Sequence, residues 1–239
     1  MNVRAVFVSD THTKLDQIDL PGGDILFHCG DWTFRGDIRE VMEFNHHLGL
    51  VRERYREIVV VAGNHDWLPQ RDPALLTGIL TNAIYLQDQA IEVCGLKVYG
   101  SPWQPEFMNW AFNVPRGQKL AEKWALIPGG LDVLITHGPP HGTLDRTKGY
   151  ESVMCGKYTY EPPQYVGCDD LAERLKVVKP KVHAFGHVHA SYGTVRGPAE
   201  LGGILSINAS ICDEGYKPVN KPFVVDFADG EARLVTDGE

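Results

Sequence analysis

This sequence contains five clusters of polar residues, and nearly every one of them follows a short apolar run. The clusters are Asp10-Thr11-His12, Gly30-Asp31, Gly63-Asn64-His65-Asp66, Thr136-His137-Gly138 and Gly186-His187-Val188-His189. Short, continuously apolar runs are typical of buried strands in a parallel sheet. In open α/β folds, residues just beyond the carboxyl ends of such strands converge in one crevice. The clusters therefore predict a common polar site at one edge of a sheet.

The last cluster places His187 and His189 two positions apart, after the apolar run 182–185. Side chains alternate between the two faces of a strand, so residues i and i+2 point the same way. If the extended conformation continues past Gly186, both imidazoles face one spot. Imidazole is the commonest protein metal ligand. Two nearby histidines alone are more often ordinary surface or core residues, and only the other clusters make a metal site the better interpretation.

The order of the elements predicts an α/β fold. Strands are expected at 3–8, 24–29 and 58–62, with a helix between the second and third. Asp37 is the expected N-cap of that helix, and Glu40 completes the pattern of a capping box. A strand, a helix and a strand in succession are typical of parallel βαβ units.

The remaining elements complete a single domain, expected over residues 1–239. The predictions are a short helix opened by Asp72-Pro73, strands at 84–86, 90–93 and 96–99 where the sheet turns antiparallel, helices at 118–127 and 171–178, a strand at 131–135 and a strand-rich tail after His189. Asp169 or Asp170 is the expected cap of the last helix. The simplest architecture is two stacked mixed β-sheets flanked by helices. Residues 138–168 lack periodicity and are either a lid or a surface excursion with some hidden structure.

Composition narrows the class of protein. The chain is 43% hydrophobic and 23% charged, which is ordinary for a globular protein, and no apolar run reaches transmembrane length. The apolar run near Met1 is too short for a signal peptide, so we expect a cytoplasmic protein without a membrane partner. The net charge of −8 argues against a stable nucleic-acid complex. The five cysteines form no CxxC pair and are expected to be small buried side chains.

Seven residues of the clusters are candidate metal ligands: Asp10, His12, Asp31, Asn64, His137, His187 and His189. Oxygen and imidazole donors without a thiolate suit manganese, iron or zinc, of which we expect manganese. Seven groups exceed one ordinary site but suffice for two divalent ions that share a bridging carboxylate. Asp31 is the expected bridge.

Charge favours an anionic substrate. Two divalent ions held by the carboxylates of Asp10 and Asp31 leave a site of about +2, or about +1 with a bridging hydroxide, inside an acidic protein. Two-metal sites generate hydroxide at neutral pH and clamp both oxygens of an in-line displacement. Hydrolysis of a phosphate ester is the reaction that most needs this arrangement.

The five clusters, in this order over residues 10–189, resemble the calcineurin-like metallophosphoesterases. Four further stretches resemble the branch of metallophosphoesterase-domain-containing proteins: Ser101-Pro102-Trp103, residues 112–117, His137-Gly138-Pro139-Pro140 and Ile207-Asn208-Ala209-Ser210. Some members of that branch lack the first histidine of the His-x-His pair. This chain has His187, so both metal sites look complete.

The resemblance implies a division of the ligands: Asp10, His12, Asp31 and His189 for one metal, and Asp31, Asn64, His137 and His187 for the other. It places His65 beside the phosphate as the group that stabilises charge and protonates the leaving oxygen, oriented by Asp66. Asn64 and Arg35 are candidate substrate contacts. A solvent-facing arginine is the ordinary alternative for Arg35.

The leading hypothesis is a phosphodiesterase that uses metal-bound hydroxide. Nucleoside 2′,3′-cyclic phosphates are among the expected substrates for two reasons. The branch is associated with cyclic nucleotides, and aromatic residues from Trp103 to Phe112 could stack a base. A phosphomonoesterase, a nuclease of the same fold and a non-catalytic scaffold are the alternatives. The acidic balance speaks against a nuclease, and the complete ligand set with His65 speaks against a scaffold. The partner is thus a small phosphodiester or nucleotide, and the sequence indicates no oligomeric state.

Overall fold

The computed structural model describes residues 2–154, 157–199 and 202–235. The helices are α1 (Ile38–Val51), α2 (Trp67–Arg71), α3 (Pro73–Ile79), α4 (Gln118–Ala125) and α5 (Asp169–Val178). The strands are β1 (Val3–Val8), β2 (Ile25–His28), β3 (Glu57–Val60), β4 (Ile84–Tyr85), β5 (Gln89–Val93), β6 (Leu96–Ser101), β7 (Gln104–Pro105), β8 (Asn113–Val114), β9 (Val133–Thr136), β10 (Tyr150–Met154), β11 (Lys157–Glu161), β12 (Val182–Phe185), β13 (Gly193–Arg196), β14 (Leu205–Asn208), β15 (Phe223–Ala228) and β16 (Glu231–Val235). Short 3₁₀ helices occupy Leu15–Gln17, Arg52–Arg54 and His189–Ser191.

Two six-stranded mixed sheets form the centre of the fold. The first has the order β16-β15-β1-β2-β3-β4, in which β1 to β4 are parallel and the last two strands of the chain are antiparallel. The second has the order β13-β14-β12-β9-β6-β5, with four parallel inner strands and an antiparallel strand at each edge. The predicted architecture of two mixed sheets with flanking helices is confirmed.

The first strand is buried on both faces, which explains its continuous apolar sequence. Ala5 and Phe7 point into the core between the two sheets, where they join residues of the second sheet such as Ile135. Val6 and Val8 point the other way and pack with Phe44 and other apolar residues of α1. Burial of an apolar side chain contributes roughly 1.5–3 kcal/mol, so the sandwich is stabilised from both sides of the strand.

The second sheet is covered on its outer face by α4 and α5. Leu120 and Trp124 of α4 pack with Leu171 and Leu175 of α5 in a cluster that reaches Leu134 on β9. The helices therefore lie on the outer faces, and the carboxyl ends of the central strands stay uncovered by them. This arrangement leaves one edge of the sandwich for polar residues.

Helix α1 begins as predicted, but its capping box does not form. The side chain of Asp37 accepts hydrogen bonds from the backbone N–H groups of Arg39 and Glu40. The carboxylate of Glu40 turns away from Asp37 and accepts from the backbone N–H groups of Phe34, Arg35 and Gly36. Three successive N–H groups make a concave anion site that a carboxylate fills well. Glu40 thus secures the loop that precedes the helix.

The cap predicted for α5 is wrong by one residue. Cys168 is the N-cap, and its Sγ accepts from the backbone N–H of Leu171. Asp169 and Asp170 lie in the first turn instead, where the helix dipole favours negative charge. The cap of α3 is as predicted, because the side chain of Asp72 accepts from the N–H of Leu75.

The strands predicted from 84 to 99 belong to different sheets. Strand β4 continues the first sheet in parallel with β3, and only β5 and β6 form an antiparallel pair, in the second sheet. The segment 138–168 contains the β10–β11 hairpin, so the expected hidden structure is present, and the lid remains a prediction.

The cysteines agree with the expectation of buried apolar side chains at most positions. Cys29, Cys168 and Cys212 are buried and Cys94 is partly buried, whereas Cys155 lies outside the described residues. Among the described helices, none is both long and apolar enough to span a bilayer.

Candidate metal centre

All seven predicted ligands meet where the central strands of the two sheets end. Strands β1, β2 and β3 of the first sheet lead into Asp10, Asp31 and Asn64. Strands β9 and β12 of the second sheet lead into His137 and the His187–His189 pair. Both sheets therefore direct their carboxyl ends at one polar cluster, as the sequence predicted.

The first half of the cluster contains Asp10, His12 and His189. Nε2 of His189 lies 3.3 Å from Oδ1 of Asp10 and 3.3 Å from Nε2 of His12. Nδ1 of His12 faces the carbonyl oxygen of Thr33, and Nδ1 of His189 faces that of Asp213. A carbonyl oxygen only accepts, so each Nδ1 carries the proton and each Nε2 is directed at the cluster. This orientation of both rings is typical of metal-ligating histidines.

The second half is built around the amide of Asn64. Its Oδ1 lies 3.0 Å from Nε2 of His137 and 2.8 Å from Nδ1 of His187. His137 is held from behind by the carbonyl oxygen of Cys29, 2.9 Å from its Nδ1. Two ring nitrogens and an amide oxygen thus converge on one small volume. These donors fit a second divalent ion.

Asp31 lies between the two halves. Its Oδ2 is 3.9 Å from Nε2 of His12 in the first half and 3.4 Å from Nε2 of His137 in the second. Its Oδ1 accepts from the backbone N–H of His65 at 2.8 Å, which fixes the plane of the carboxylate. Oδ2 of Asp31 thus faces a histidine nitrogen in each half of the cluster.

The backbone at the strand ends is sharply turned. Asp10, His12, Asp31 and His187 all have positive φ angles, of 53°, 43°, 54° and 69°. Such angles are costly for residues with a Cβ and cluster at functional sites. The turns direct these side chains into the shared crevice, whereas a continued strand would place them on the two faces of its sheet.

Gly186 permits the close approach of the two sheets. A Cβ at this position would lie 2.0 Å from Oδ2 of Asp10. The next residue, His187, donates its backbone N–H to the same carboxylate at 3.0 Å. The glycine of the Gly-His-x-His motif is therefore required by the carboxylate of the opposite sheet.

Ser210 and Asn208 support the cluster from the tail of the chain. Oγ of Ser210 lies 2.9 Å from Oδ2 of Asp10 and 2.7 Å from Oδ1 of Asn208. The side-chain amide of Asn208 donates to the carbonyl oxygen of Val188, between the two histidines of the pair. The stretch 207–210 thus connects Asp10 with the His187–His189 turn, a role that its resemblance to relatives did not reveal.

Opposite charges and burial shape the titration of the ligand-free cluster. Burial raises the pKa of Asp10, but the bond from His189 and the neighbouring histidines bring that pKa well below its usual value. Burial lowers the pKa of His189 and His137, yet Asp10 and Asp31 raise these pKa values to about 9. Burial prevails at His12 and lowers its pKa to about 4. Two protonated rings thus balance two carboxylates, and divalent ions would replace those protons, because ligating imidazoles must be neutral.

The family model for calcineurin-like phosphoesterases matches residues 3–191. The chain belongs to the calcineurin-like phosphoesterase family. Human metallophosphoesterase domain-containing protein 1 is 42% identical over 93% of this chain and 70% of its own length. A UPF0046 protein of Caenorhabditis elegans is 36% identical over 94% of this chain and 80% of its own length.

Structural similarity agrees with the family assignment at the level of the fold. A purple acid phosphatase from yellow lupin seeds covers 100% of this chain with a TM-score of 0.52 and 13% sequence identity. The match includes 52% of the length of that phosphatase. The shared part is the two-sheet sandwich.

His65 of this phosphoesterase is buried against the metal cluster. Its Nδ1 lies 2.7 Å from the carbonyl oxygen of Phe34, and its Nε2 lies 3.9 Å from Oδ2 of Asp31. Its ring nitrogen also falls in one possible metal-binding group with His12 and Asp31. Because Nδ1 donates to a carbonyl, Nε2 is the ring nitrogen that faces the cluster.

Asp66 does not orient the ring of His65, contrary to our expectation. Its carboxylate accepts from the backbone N–H groups of Asp31, Thr33 and Gly63 and from the hydroxyl of Thr33. These buried N–H groups would otherwise lack partners, which explains why the carboxylate of Asp66 points toward them and not toward His65. Burial and the charge of Asp31 raise the pKa of Asp66 to about 7. Asp66 therefore holds the two loops that carry Asp31 and Asn64.

The aromatic residues near the motifs differ in their surroundings. Trp32 is buried and stacks on Phe44, and Phe112 is also buried. Trp103 donates its Nε1–H to Asp88 and is covered by the ammonium of Lys123 at 3.9 Å. Trp110 lies at the cluster, with its ring centroid 4.3 Å from that of His65.

Arg35 was predicted from the sequence to contact the substrate, whereas Tyr216 was not predicted at all. Arg35, a predicted substrate contact, is exposed on the loop between Asp31 and α1, and its backbone N–H binds Glu40. Tyr216 was not predicted, yet its ring centroid lies 4.8 Å from that of His12. No periodicity or motif marks Tyr216, and only the folded tail brings it to the cluster.

Proposed function

We propose that this phosphoesterase is a dinuclear metal-dependent phosphodiesterase that acts on small phosphodiesters, including nucleoside 2′,3′-cyclic phosphates. The observation that supports this most is the position of Oδ2 of Asp31, within 3.9 Å of a ring nitrogen in each half of the donor cluster. One carboxylate shared by two sets of nitrogen and oxygen donors suits two ions held side by side. We infer manganese as the metal, with iron and zinc as the alternatives.

In this proposal the ligands divide as the family resemblance implies. Asp10, His12 and His189 would hold one ion, Asn64, His137 and His187 the other, and Asp31 both. When bound, the ions supply an activated water and offset the charge of the phosphoryl oxygens. The carbonyl oxygens behind His12, His137 and His189 hold the Nδ1 side of each ring, so that Nε2 faces the cluster and would be the ligating nitrogen.

His65 would deliver the proton to the leaving oxygen. The carbonyl oxygen of Phe34 holds its Nδ1–H, so only Nε2 can exchange a proton with the substrate. The backbone N–H of His65 is bound to Asp31, which keeps the ring at a constant distance from the cluster. Two further residues are proposed to contact the phosphate. They are Asn64, which contacts His137 and His187, and the exposed Arg35.

The surroundings of the cluster favour a diester over a monoester. The ion pairs that Asp10 and Asp31 make among the described residues all involve histidine, with no lysine or arginine. A monoester dianion benefits from additional fixed cations, whereas a diester carries one negative charge. Trp110 beside His65 adds an aromatic surface for a base. These features support a nucleotide diester as the substrate.

A panel of four substrates tests the proposal on manganese-reconstituted protein. We expect larger kcat/KM values for bis-p-nitrophenyl phosphate and 2′,3′-cyclic AMP than for p-nitrophenyl phosphate and 3′,5′-cyclic AMP. The Asp31→Asn variant serves as the control for adventitious metal hydrolysis and should lose the activity. Faster turnover of the monoester would make the protein a phosphomonoesterase. Preference for the 3′,5′ ring would keep the diester class and remove the proposed substrate.

We also infer that residues 1–239 act as one domain. The family match ends at residue 191, but β14 lies beside β12 in the second sheet and β15 lies beside β1 in the first. Ser210, beyond the match, contacts Asp10. A chain that ended at residue 191 should therefore fail to unfold cooperatively and fail to bind metal, as thermal melts and metal analysis would show.

A further inference from the structure

Tyr216 lies over the histidines of the first half of the metal centre. Its ring centroid is 4.8 Å from that of His12 and 5.6 Å from that of His189, and in both contacts the ring planes are nearly perpendicular. It is also 5.0 Å from the ring of Phe34 and 6.2 Å from that of His65. Tyr216 and Phe34 therefore form an aromatic wall on one flank of His65.

The turn that carries Tyr216 is tied to the metal centre. The carbonyl oxygen of Asp213 faces Nδ1 of His189, and its side chain accepts from the backbone N–H groups of Gly215 and Lys217. Tyr216 itself has a φ of +58°, a left-handed angle that a bulky residue seldom adopts. The turn thus places a large ring at a position where Gly or Asn would be less costly, which points to a use for the ring.

We propose that Tyr216 is a substrate-binding residue that, together with Phe34, holds a flat aromatic or nucleobase-bearing leaving group against His65. The proposal rests on the proposed function and identifies the substrate class of the same site. A leaving oxygen protonated by Nε2 of His65 carries its substituent into the space beside this ring. The rings of Tyr216, Phe34 and Trp110 all lie near His65, with centroids 6.2, 5.6 and 4.3 Å from that of its imidazole.

The aromatic wall is available to a ligand. Phe34 is 38% exposed although its neighbours in the loop are fixed by Glu40, and Tyr216 is only partly buried. Aromatic rings gain most from flat partners that lie on a face or meet an edge. A small alkyl substituent would bury little area against the same wall. The aromatic wall thus favours aromatic over alkyl phosphate esters, even when the phosphate group carries the same charge in both.

Calorimetric binding of non-hydrolysable ligands tests this inference without turnover. The manganese-loaded protein is titrated with inorganic phosphate, methylphosphonate and phenylphosphonate. We expect phenylphosphonate to bind roughly tenfold more tightly than methylphosphonate, because stacking of one ring typically contributes that factor or more. The Tyr216→Asn variant, whose side chain tolerates the left-handed angle, should lose most of this ratio, and Tyr216→Phe should keep it.

The matched control is Tyr165→Asn, which removes an exposed tyrosine that contacts His141. It should leave the ratio unchanged. A ratio near one in the wild type, or an unchanged ratio in Tyr216→Asn, would overturn the role of Tyr216 and leave the proposed function intact. An equal loss of affinity for all three ligands in Tyr216→Asn would also overturn the role of Tyr216. The turn would then affect binding only by holding His189. Wild-type protein that binds no phosphate would overturn both proposals.

Discussion

Nδ1 of His65 lies 2.7 Å from the carbonyl oxygen of Phe34, and this contact decides which ring nitrogen faces the metal centre. The loop that contains Phe34 is itself held by Glu40, whose carboxylate accepts three successive backbone N–H groups. A residue in the first turn of α1 thereby positions the proposed acid. The carboxylate of Glu40 and the ring of His65 are thus coupled through the backbone of the loop between them.

The Glu40→Ala variant should lower kcat about tenfold while both metals remain bound. The reason is that freeing the 34–36 loop lets the ring of His65 drift, and small displacements of a reacting group cost up to about 10²-fold. Steady-state kinetics and metal analysis measure the two effects. Glu43→Ala, an exposed position on the same helix, is the control and should change neither. Unchanged kcat in Glu40→Ala would show that the loop holds its place without the carboxylate.

The Asp31→Ala variant should bind fewer than two metals per chain, whereas the wild type should saturate at two. Oδ2 of Asp31 faces a histidine nitrogen in each half, so its loss weakens both halves at once. Bound manganese is measured after dialysis, with the exposed Asp16→Ala variant as the control. Two ions in Asp31→Ala, or one in the wild type, would contradict the bridging role.

The His65→Gln variant should keep its metals and lose roughly 10²- to 10⁴-fold in turnover, the usual range for a general acid. The loss should be smaller for esters of nitrophenol, because that leaving group needs little protonation. Kinetics with good and poor leaving groups make the comparison, and His47→Gln on α1 is the control. An equal loss for both classes would mean that His65 positions the substrate.

The Ser210→Ala variant should bind metal about 10- to 100-fold more weakly, because residues that orient a ligand contribute by this order. Oγ of Ser210 lies 2.9 Å from Oδ2 of Asp10 and links it to Asn208. Competition with a chelator measures the affinity. Ser206→Ala, a buried serine on β14, is the control. Equal affinities of Ser210→Ala and wild type would make the hydroxyl dispensable.

Acid should destabilise the protein through His183, a buried ring whose pKa burial lowers to about 3. The unfolded chain takes up a proton near pH 6.5, whereas the folded chain takes it up only near pH 3. This contribution to stability is therefore complete above pH 6.5 and is lost as the pH falls toward 3. The loss amounts to about 1.4 kcal/mol per pH unit.

The His183→Gln variant should accordingly show a shallower fall in unfolding free energy between pH 6 and pH 4 than the wild type, whatever its stability at neutral pH. Urea unfolding at several pH values gives both slopes. The exposed His46→Gln variant should keep the wild-type slope. Parallel slopes in wild type and His183→Gln would show that this ring is protonated in the folded state as well.

Local patterns in the sequence determined the α/β architecture, the strand ends and the seven donors. Apolar runs such as 3–8 mark strands that are buried on both faces, and polar residues directly after them can only lie at the carboxyl edge of a sheet. The order and spacing of the motifs indicated the family, and the resemblance to that family singled out His65. These features depend on neighbours along the chain, which is why they can be recognised without coordinates.

Tertiary structure alone decided the contacts made across the two sheets. The partner of His65 is a carbonyl oxygen of Phe34, and Asp66 turns instead toward buried N–H groups of other loops. Tyr216 contacts the ring of His12, which lies 204 residues earlier in the chain, and Ser210 contacts Asp10, which lies 200 residues earlier. Such contacts follow from which backbone groups need partners once the sheets have packed, and no local pattern encodes that requirement.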